Sequence, residues 1–355
     1  MAGRSRASEP ALARLAPADS GFRICLKTDK NRATASRAAP LRCILGRMVK
    51  KIAYVLLAVL MLLVVGIASL VRFDIPPEQL MAKYAAPPSK FLDVGSLKVH
   101  YRDEGQGFPL VLLHGAGSSL HTWDGWTREL AKSYRVIRLD LPGFGLTGPN
   151  AKKDYSMAWN VRFLAAFLDK LGVTECYVAG NSYGGRMAWE FASARPKRVR
   201  KLILLDASGY PMPQRRILAA RLARMPLVGR LLLHVTPRFL MAKTLRDMYG
   251  DPTRLSEATI DRYYDLFLRA GNRETFRILS RERLRDPSAR IRTIKAPTLI
   301  LWGAADQGVP LANAERFHGD IQGSKLIVYP GVGHVPMEEI PDQSSRDAGA
   351  FLAAQ

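Results

Sequence analysis

A serine flanked by glycines lies at the centre of residues 180–184, which read Gly-Asn-Ser-Tyr-Gly. This pentapeptide follows an apolar run at residues 176–179 and precedes a helix-like stretch at residues 186–194. Glycines let the chain turn sharply from a strand into a helix, and they keep other side chains away from the serine hydroxyl. The spacing therefore predicts that Ser182 is an exposed and conformationally strained nucleophile.

A serine hydroxyl is a poor nucleophile at neutral pH, so it needs a histidine base and a carboxylate that orients the base. His234, His318 and His334 follow Ser182 in the chain. His234 precedes the last two predicted strands, and His318 falls within a predicted helix. His334 instead follows a predicted strand, residues 325–329, in a loop that contains two glycines. We therefore predict that His334 is the base.

The predicted carboxylate is Asp306, which follows the predicted strand 298–302 through Gly-Ala-Ala and so lies at the same edge of the sheet. Asp206, directly after the predicted strand 201–205, is the alternative. Glu338 and Glu339 follow the histidine too closely for this role, and we expect them to cap a helix.

The oxyanion of an acyl-transfer reaction requires fixed hydrogen-bond donors. The backbone N–H of Tyr183, directly after the serine, is one predicted donor. The second is the backbone N–H of Ala116, within the glycine-containing loop His-Gly-Ala-Gly at residues 114–117. We expect His114 to support this loop through hydrogen bonds.

Apolar strands that alternate with helices must position these residues. Such alternation predicts a mainly parallel sheet that is buried on both faces. It is interrupted at about residues 209–293, where the sequence indicates an all-helical cap over the site. The predicted strands are residues 91–94, 97–102, 110–113, 135–139, 176–179, 201–205, 298–302 and 325–329.

Across about residues 91–353 the chain resembles the α/β-hydrolase fold family. The resemblance implies an α/β fold with a mainly parallel central sheet, flanking helices and a helical cap insertion. It also implies the chain order serine, acid, histidine, and no cofactor. The segments that carry it are His-Gly-Ala-Gly at 114–117, Asp-Leu-Pro-Gly-Phe-Gly at 140–145, residues 180–184, Leu-Trp-Gly at 301–303 with Asp306, and Gly-His-Val-Pro at 333–336.

The leading functional hypothesis is hydrolysis of a carboxylic ester, of a small molecule or a lipid, through an acyl-enzyme on Ser182. The alternative is a carbon–carbon bond hydrolase of the meta-cleavage-product type, a group that shares Gly-Asn-Ser-x-Gly-Gly with residues 180–185. Ser118 and Ser119 depart from the Pro-Gly of that group. A non-catalytic binding protein on the same scaffold is the third hypothesis. Cofactor-free haloperoxidase-like activity uses the same triad and also stays open.

An uncharged apolar stretch of 20 residues begins at Ile52 and ends at Val71. At 1.5 Å per residue it measures about 30 Å as a helix, which matches the hydrocarbon core of a bilayer. We predict a transmembrane signal anchor at residues 48–72. Cleavage as a signal peptide near Ala68 is the alternative, although its apolar region would be unusually long.

Basic residues are more frequent before this stretch than after it: six lie in the 20 preceding positions and three in the 20 that follow. The positive-inside rule therefore predicts a cytoplasmic amino terminus and an extracytoplasmic catalytic domain. Residues 1–51 carry twelve basic side chains, including Lys50 and Lys51, and three acidic ones. We expect residues 1–47 to be disordered and dispensable. A targeting or nucleic-acid-binding arm is the rival interpretation. Residues 73–90 contain four prolines and predict an extended spacer ahead of the hydrolase domain at 91–355.

The net charge of +22 is concentrated in the amino-terminal region and in residues 209–295, which hold 19 basic and eight acidic side chains. A basic, amphipathic cap indicates contact with an anionic lipid surface or substrate, and a solvated arginine face explains the pattern equally well. The three cysteines show no zinc or iron–sulfur spacing. We expect the partners to be an ester substrate and a membrane, but no nucleic acid, and the sequence leaves the oligomeric state open.

Overall fold

Eight strands form a single sheet in the computed structural model, which describes residues 38–211, 218–282 and 286–354. The spatial order is β1-β2-β4-β3-β5-β6-β7-β8, with antiparallel pairing at β1–β2 and β2–β4 and parallel pairing from β4 onward. The predicted mainly parallel sheet is therefore confirmed. The strands are β1 (Lys90–Val94), β2 (Leu97–Glu104), β3 (Pro109–Leu113), β4 (Arg135–Leu139), β5 (Cys176–Asn181), β6 (Val199–Leu205), β7 (Thr298–Gly303) and β8 (Lys325–Tyr329).

Helices cover both faces of the sheet, which explains why its central strands are apolar without alternation. On β3, Val111 and Leu113 belong to one hydrophobic core, and Leu110 and Leu112 belong to a second. Successive side chains of a strand point to opposite faces, so one fully buried strand contributes to both cores. The helices outside the cap are α1 (Ala38–Ser69), α2 (Pro77–Tyr84), α3 (Asp124–Leu130), α4 (Met157–Lys170), α5 (Ser182–Ala194), α12 (Ala312–Asp320), α13 (Pro336–Glu339) and α14 (Pro341–Ala353).

Six helices lie between β6 and β7 in the described residues, and we call them the cap helices. They are α6 (Leu218–Arg224), α7 (Pro226–Leu231), α8 (Arg238–Met248), α9 (Glu257–Phe267), α10 (Asn272–Ser280) and α11 (Ser288–Ile291). Residues 212–217 and 283–285 of the same stretch lie outside the described part of the chain.

The segment before the sheet is not the extended spacer that its prolines predicted. Helix α2 occupies Pro77–Tyr84, with proline at its first positions and Leu80 buried. Proline is tolerated in the first turn of a helix, where its missing N–H would have no intrahelical acceptor. The prolines therefore begin the helix instead of excluding it.

Helix α1 contains most of the predicted span and begins well before it. Residues Ile44–Gly66 are long and apolar enough to cross a membrane by length and composition. The helix ends at Ser69, before the predicted end at Val71, because the backbone of Val71 pairs with Val235 instead. Of the extension predicted to be disordered, residues 1–37 lie outside the described residues, and residues 38–47 are helical. Contacts divide the chain at Val65 into two compact units, and the second, Gly66–Gln355, contains the sheet.

The register of strand pairing explains why the loops that carry the candidate catalytic residues lie close together. Leu113 of β3 is level with Gly180 of β5, so the residues that follow each strand emerge side by side. The carboxyl ends of β6, β7 and β8 reach the same edge, because Leu205 is level with Leu301 and Gly303 with Tyr329. In open parallel sheets, ligands bind outside the carboxyl ends of the strands where connections diverge.

Candidate active site

Ser182 lies at the junction of β5 and α5 with a backbone φ of 53°. A β-carbon on Gly184 would collide with the carbonyl oxygens of Leu113 and His114, and one on Gly180 would collide with the carbonyl oxygen of Gly184. Glycine at both positions thus allows the chain to double back tightly between strand and helix. The predicted strained turn is present, and the side chain of Ser182 is partly exposed.

His334 and Asp306 form a buried pair: Nδ1 of the imidazole lies 2.7 Å from Oδ2 of the carboxylate. The other carboxylate oxygen accepts hydrogen bonds from the backbone N–H groups of Gly308 (2.6 Å) and Val309 (3.0 Å). These bonds fix the carboxylate, so Nδ1–H donates to it and Nε2 of His334 stays free to accept a proton.

Asp206, the alternative acid, lies beside this pair and does not replace Asp306. Ligating atoms of Asp206, Asp306 and His334 all lie within 4.8 Å of one another. Oδ1 of Asp206 accepts a hydrogen bond from the N–H of Gly303 at 2.9 Å, and Oδ2 has no partner among the described residues. Burial, together with the charge of Asp306, raises the pKa of Asp206 well above its ordinary value.

The loop that carries His334 is fixed by buried polar contacts. Glu339 accepts hydrogen bonds from the N–H groups of Gly333 (2.9 Å), Gly250 (3.0 Å) and Asp251 (2.7 Å). His334 N–H donates to the carbonyl of Met248 at 2.7 Å, which ties the loop to the end of α8. Our expectation that Glu339 caps a helix is wrong, because α13 has no side-chain cap and the carboxylate faces loop N–H groups instead.

The two predicted oxyanion donors border the same cavity as Ser182 and His334. Tyr183 lies in the first turn of α5, where backbone N–H groups have no intrahelical acceptor. Among the described residues, the N–H of Ala116 has no backbone acceptor either. A β-carbon on Gly115 would lie 2.9 Å from Oδ1 of Asn181, so glycine is what permits this loop to approach the nucleophile.

His114 has a supporting position in the structure. Its Nε2 accepts a hydrogen bond from the N–H of Leu141 at 2.9 Å, so Nδ1–H donates to the carbonyl of Gly115 at 2.7 Å. Burial lowers the pKa of His114, which keeps the imidazole neutral. The side chain therefore joins the oxyanion loop to the loop after β4.

A cavity of about 210 Å³ contains the reacting groups and is lined mainly by apolar side chains of the cap helices. Ser182 and His334 both border it, whereas Asp306 lies behind the histidine. The structure contains no hydrogen bond between Ser182 and His334. Among the apolar residues that line the cavity are Leu240, Met241, Leu245, Phe267, Phe276 and Leu279.

Three arginines also border the cavity, and each is paired with a carboxylate. Arg186 pairs with Glu282 at 2.8 Å, Arg273 with Asp74 at 2.6 Å, and Arg277 with Glu274 at 2.8 Å. An anionic substrate would have to compete with these partners. Nε of Arg277 is nonetheless buried without a hydrogen-bond partner among the described residues.

A hydrogen-bonded network that the sequence analysis missed connects the cap to the oxyanion loop. The hydroxyl of Ser118 donates to the hydroxyl of Tyr263 at 3.0 Å, and Tyr263 donates to Glu338 at 2.8 Å. Tyr249 donates to the other oxygen of Glu338 at 2.7 Å. Glu338 was expected to cap a helix, and this expectation too is wrong.

The buried positions Ile260, Tyr263 and Tyr264 of α9 show helical spacing, but this spacing alone could not reveal the hydrogen-bond partners of Tyr263.

The only group of potential metal ligands in the described ranges consists of Asp206, Asp306 and His334. Two ligands of one tetrahedral zinc ion lie about 3.3 Å apart when each bond is about 2.0 Å. The 2.7 Å between His334 and Asp306 is shorter and is the length of a charge-assisted hydrogen bond. The geometry thus fits a histidine–carboxylate pair better than a metal centre.

Comparison with known proteins gives consistent results. A family model described as "alpha/beta hydrolase fold" matches residues 109–341. A 2-hydroxy-6-oxo-6-phenylhexa-2,4-dienoate hydrolase from Comamonas testosteroni is 30% identical over 73% of this chain and 93% of its own length. A crystal structure of a membrane phospholipase A, described as a bacterial virulence factor, is 25% identical, with a TM-score of 0.66, over 85% of this chain and 98% of its own. A meta-cleavage product hydrolase from Pseudomonas fluorescens IP01 is 26% identical, also with a TM-score of 0.66, over 74% and 97%.

Proposed function

Because the chain belongs to the alpha/beta hydrolase fold family, we propose that it is a serine hydrolase that cleaves a carboxylic ester with an apolar acyl chain. The observation that carries this proposal is that Ser182 and His334, which is paired with Asp306, both border a cavity whose wall is mainly apolar. An ester of small or lipid origin would place its acyl chain among the cap helices and its carbonyl beside the serine.

In the proposed mechanism, Oγ of Ser182 attacks the ester carbonyl and its proton passes to Nε2 of His334. Asp306 accepts a hydrogen bond from Nδ1–H and stabilises the imidazolium. In this proposal the hydrogen bond between Oγ of Ser182 and Nε2 of His334 forms when substrate binds, as catalytic hydrogen bonds often do.

The tetrahedral oxyanion would accept hydrogen bonds from the N–H groups of Ala116 and Tyr183, each contributing roughly 2.7 to 4 kcal/mol. Collapse of this intermediate expels the alcohol, which takes the proton from His334 and leaves an acyl group on Ser182. Water then attacks the acyl-enzyme and His334 accepts its proton. His334 returns this proton to Oγ of Ser182 as the bond between Oγ and the acyl carbon breaks, and the carboxylic acid leaves. We propose that no cofactor takes part.

Carbon–carbon bond hydrolysis is the second candidate, because named relatives at about 30% identity carry that activity. The names of these relatives give a dienoate and a muconate semialdehyde as substrates. The carboxylate of such a substrate would need a cationic partner in the cavity. Nε of Arg277, buried and without a described partner, is the feature that favours it. The pairing of all three cavity arginines with carboxylates favours the ester.

We further propose that residues 48–72 anchor the protein in a membrane as a single span, with the amino terminus cytoplasmic and the hydrolase domain, residues 91–355, outside the cytoplasm. Support comes from the apolar length of Ile44–Gly66. The membrane phospholipase also matches a larger share of this chain than the meta-cleavage product hydrolase does, at the same TM-score. An anchored enzyme with an apolar cavity suits amphiphilic esters.

The test uses the full chain in detergent micelles with nitrophenyl esters of increasing acyl length, alongside a 2-hydroxy-6-oxo-dienoate. We expect ester turnover to rise with acyl length until the cavity is filled. Ser182→Ala should reduce kcat by about 10⁶-fold, as loss of a serine nucleophile does in a triad. Ser208→Ala is the matched control, because Ser208 borders the same cavity outside the triad.

Near-normal ester turnover by the Ser182→Ala protein would refute the mechanism. Faster turnover of the dienoate than of every ester, with loss of that activity in Arg277→Gln, would establish the carbon–carbon hydrolase instead. Absence of both activities, together with no labelling of Ser182 by a fluorophosphonate, would indicate a binding protein.

A further inference from the structure

Exposed apolar side chains are concentrated in one part of the second compact unit. Among its described residues, seven large apolar side chains are exposed, and six of these lie in the segment after α1, on helices α6 to α8, or between α6 and α7. Leu227 is 80% exposed, Phe239 is 68% exposed and Phe73 is 85% exposed. Exposed apolar groups gathered in this way mark interaction surfaces. We call this set the apolar rim: Phe73, Leu218, Met225, Leu227, Leu231 and Phe239.

The helices that bear the apolar rim also form the wall of the catalytic cavity. Ala223 of α6, Gly229 of α7 and Met241 of α8 all border the cavity. The same three helices therefore present one side to the reacting groups and another to the surroundings. A partner that binds the apolar rim would therefore contact the same helices that line the cavity.

Most of the apolar rim lies in a stretch of sequence whose charged residues are all basic, although Arg238, Lys243 and Arg246 pair with carboxylates just outside that stretch. Residues 207–246 contain eight lysines and arginines and no aspartate or glutamate. Arg224, Arg230 and Arg281 surround a shallow concavity together with Leu227. None of the three forms an ion pair with any carboxylate of the described residues, in contrast to the three arginines of the cavity. Cations beside exposed apolar groups match the chemistry of an anionic lipid surface.

Chain connectivity limits how far the end of the candidate span can lie from this region. Only four residues lie between Gly66, where the span ends, and Val71, whose backbone pairs with Val235 after α7. The next residue, Arg72, donates its N–H to the carbonyl of His234 at 2.7 Å. The five Cα-to-Cα steps from Gly66 to Val71 span at most about 18 Å. If the span crosses a bilayer, the chain must hold these cap residues near the membrane surface.

We propose that helices α6 to α8 form a docking surface for an anionic lipid bilayer. The apolar rim would enter the boundary between headgroups and acyl chains, and Arg224, Arg230 and Arg281 would bind lipid phosphates. This inference rests on the proposed membrane anchor and is independent of the ester chemistry. The proposal explains the basic residues of the cap as a lipid-binding surface. The sequence alone was explained equally well by an arginine face that contacts only solvent.

The test attaches an environment-sensitive nitrobenzoxadiazole dye to Leu227→Cys in the full chain, with Cys25→Ser and Cys43→Ser. Cys176 is buried and stays unlabelled. Vesicles of phosphatidylcholine, with and without phosphatidylglycerol, carry bromine on their acyl chains as a contact quencher. A dye on Lys132→Cys is the matched control, since Lys132 is exposed and lies at the opposite edge of the sheet, just before β4.

We expect brominated chains to quench the dye at position 227 in anionic vesicles, and less in zwitterionic ones, while the dye at position 132 stays unquenched. Each arginine near an anionic surface changes an equilibrium by roughly fivefold, so Arg224→Gln/Arg230→Gln/Arg281→Gln should weaken docking on the order of 100-fold. The control triple Arg128→Gln/Arg195→Gln/Arg346→Gln removes exposed arginines elsewhere and should leave quenching unchanged.

A dye on Val59→Cys, within the candidate span, tests the membrane anchor separately from the docking of the cap helices. Quenching at 59 without quenching at 227 would overturn docking and leave the anchor intact. No quenching at 59 would overturn the anchor as well. Shielding of position 227 that depends on protein concentration and persists in detergent would identify a second copy of the chain as the occupant, and would also overturn the proposal.

Discussion

Ser182 and Asp206 are strained in the same way and at equivalent places. Each lies one residue beyond a buried parallel strand and has a positive φ, 53° after β5 and 46° after β6. For a residue with a β-carbon, this conformation costs roughly 1 to 2 kcal/mol, and such strain collects at functional sites. The buried sheet maintains both conformations. Both side chains therefore lie at the carboxyl edge of the sheet, close to His334.

Asp206 gives a pH-dependent prediction. Burial raises its pKa in the folded protein, so the proton stays bound above pH 3.8, where an exposed aspartate loses it. As the pH rises beyond 3.8, the unfolded chain gains the free energy of ionisation and the folded chain does not. Asp206→Asn retains an acceptor for Gly303 N–H and cannot ionise. We therefore expect the variant to become progressively more stable than the native protein from about pH 4 upward.

Thermal unfolding of the full chain in detergent at several pH values measures this difference. Parallel stability curves for the two proteins would show that Asp206 titrates normally. Asp306→Asn is the matched variant: it should reduce kcat by about 10⁴-fold through misorientation of the histidine. Asp206→Asn should retain most activity, because Asp306 alone contacts the imidazole.

The sequence predicted which loops carry the chemistry but not how two acids share one site. The positions of Ser182, Asp306 and His334 after predicted strands placed them at one edge, and the structure brings Asp306 against His334 as the pattern indicated. Asp206 and Asp306 looked like alternatives because a strand pattern fixes the edge and leaves the depth of each loop open. Glu339 was misinterpreted for a related reason, since its partners at Gly250 and Asp251 are distant in sequence.

At the scale of elements, regular strands were predictable and cap contacts were not. Strands β3, β5 and β7 are apolar except at their ends because helices cover both faces, and this pattern is visible in sequence. Helix α2 was missed because four prolines suggested an extended chain. Contacts of α9 with the oxyanion loop depend on polar side chains at the helix surface, whose partners periodicity does not identify.

The contact between α9 and the oxyanion loop gives the prediction at this scale. Tyr263→Phe removes the hydroxyl that joins Ser118 to Glu338. A lost hydrogen bond of this kind costs roughly 0.5 to 1.5 kcal/mol, and a loosened loop displaces Ala116 N–H from the developing oxyanion. We expect kcat for a nitrophenyl ester to fall by up to about tenfold, with little change in KM.

Tyr249→Phe is the matched control for that variant. It also removes one hydrogen bond to Glu338, at 2.7 Å, but Tyr249 has no contact with Ser118 through its hydroxyl. Both variants should lower the unfolding temperature, and Tyr263→Phe should lower it somewhat more because the Tyr263 hydroxyl makes two hydrogen bonds and the Tyr249 hydroxyl one. Equal losses of kcat in the two would mean that Glu338 acts through general stability, and that the link to the oxyanion loop is unimportant.

At the scale of the whole molecule, charge is divided between two regions with different expected surroundings. The first 51 residues carry twelve basic and three acidic side chains, and residues 209–295 carry 19 and eight. If a bilayer separates these two regions, the first region lies in the cytoplasm. The second would then meet the outer membrane surface, which is where the proposed docking of α6 to α8 requires it.

Orientation in the membrane is the prediction that tests this arrangement. Six basic residues precede the apolar stretch within 20 positions and three follow it within 20, so the amino terminus should stay cytoplasmic. A reporter that is active only outside the cytoplasm, fused after Gln355, should therefore be active, and a reporter active only inside should be silent. Replacing Arg42, Arg47, Lys50 and Lys51 with glutamine removes four of the six charges and should shift activity toward the second reporter, because the charge difference then changes sign. The reverse result for the native chain would place the cap helices beside the cytoplasmic leaflet, and the hydrolase would then act on esters within the cell.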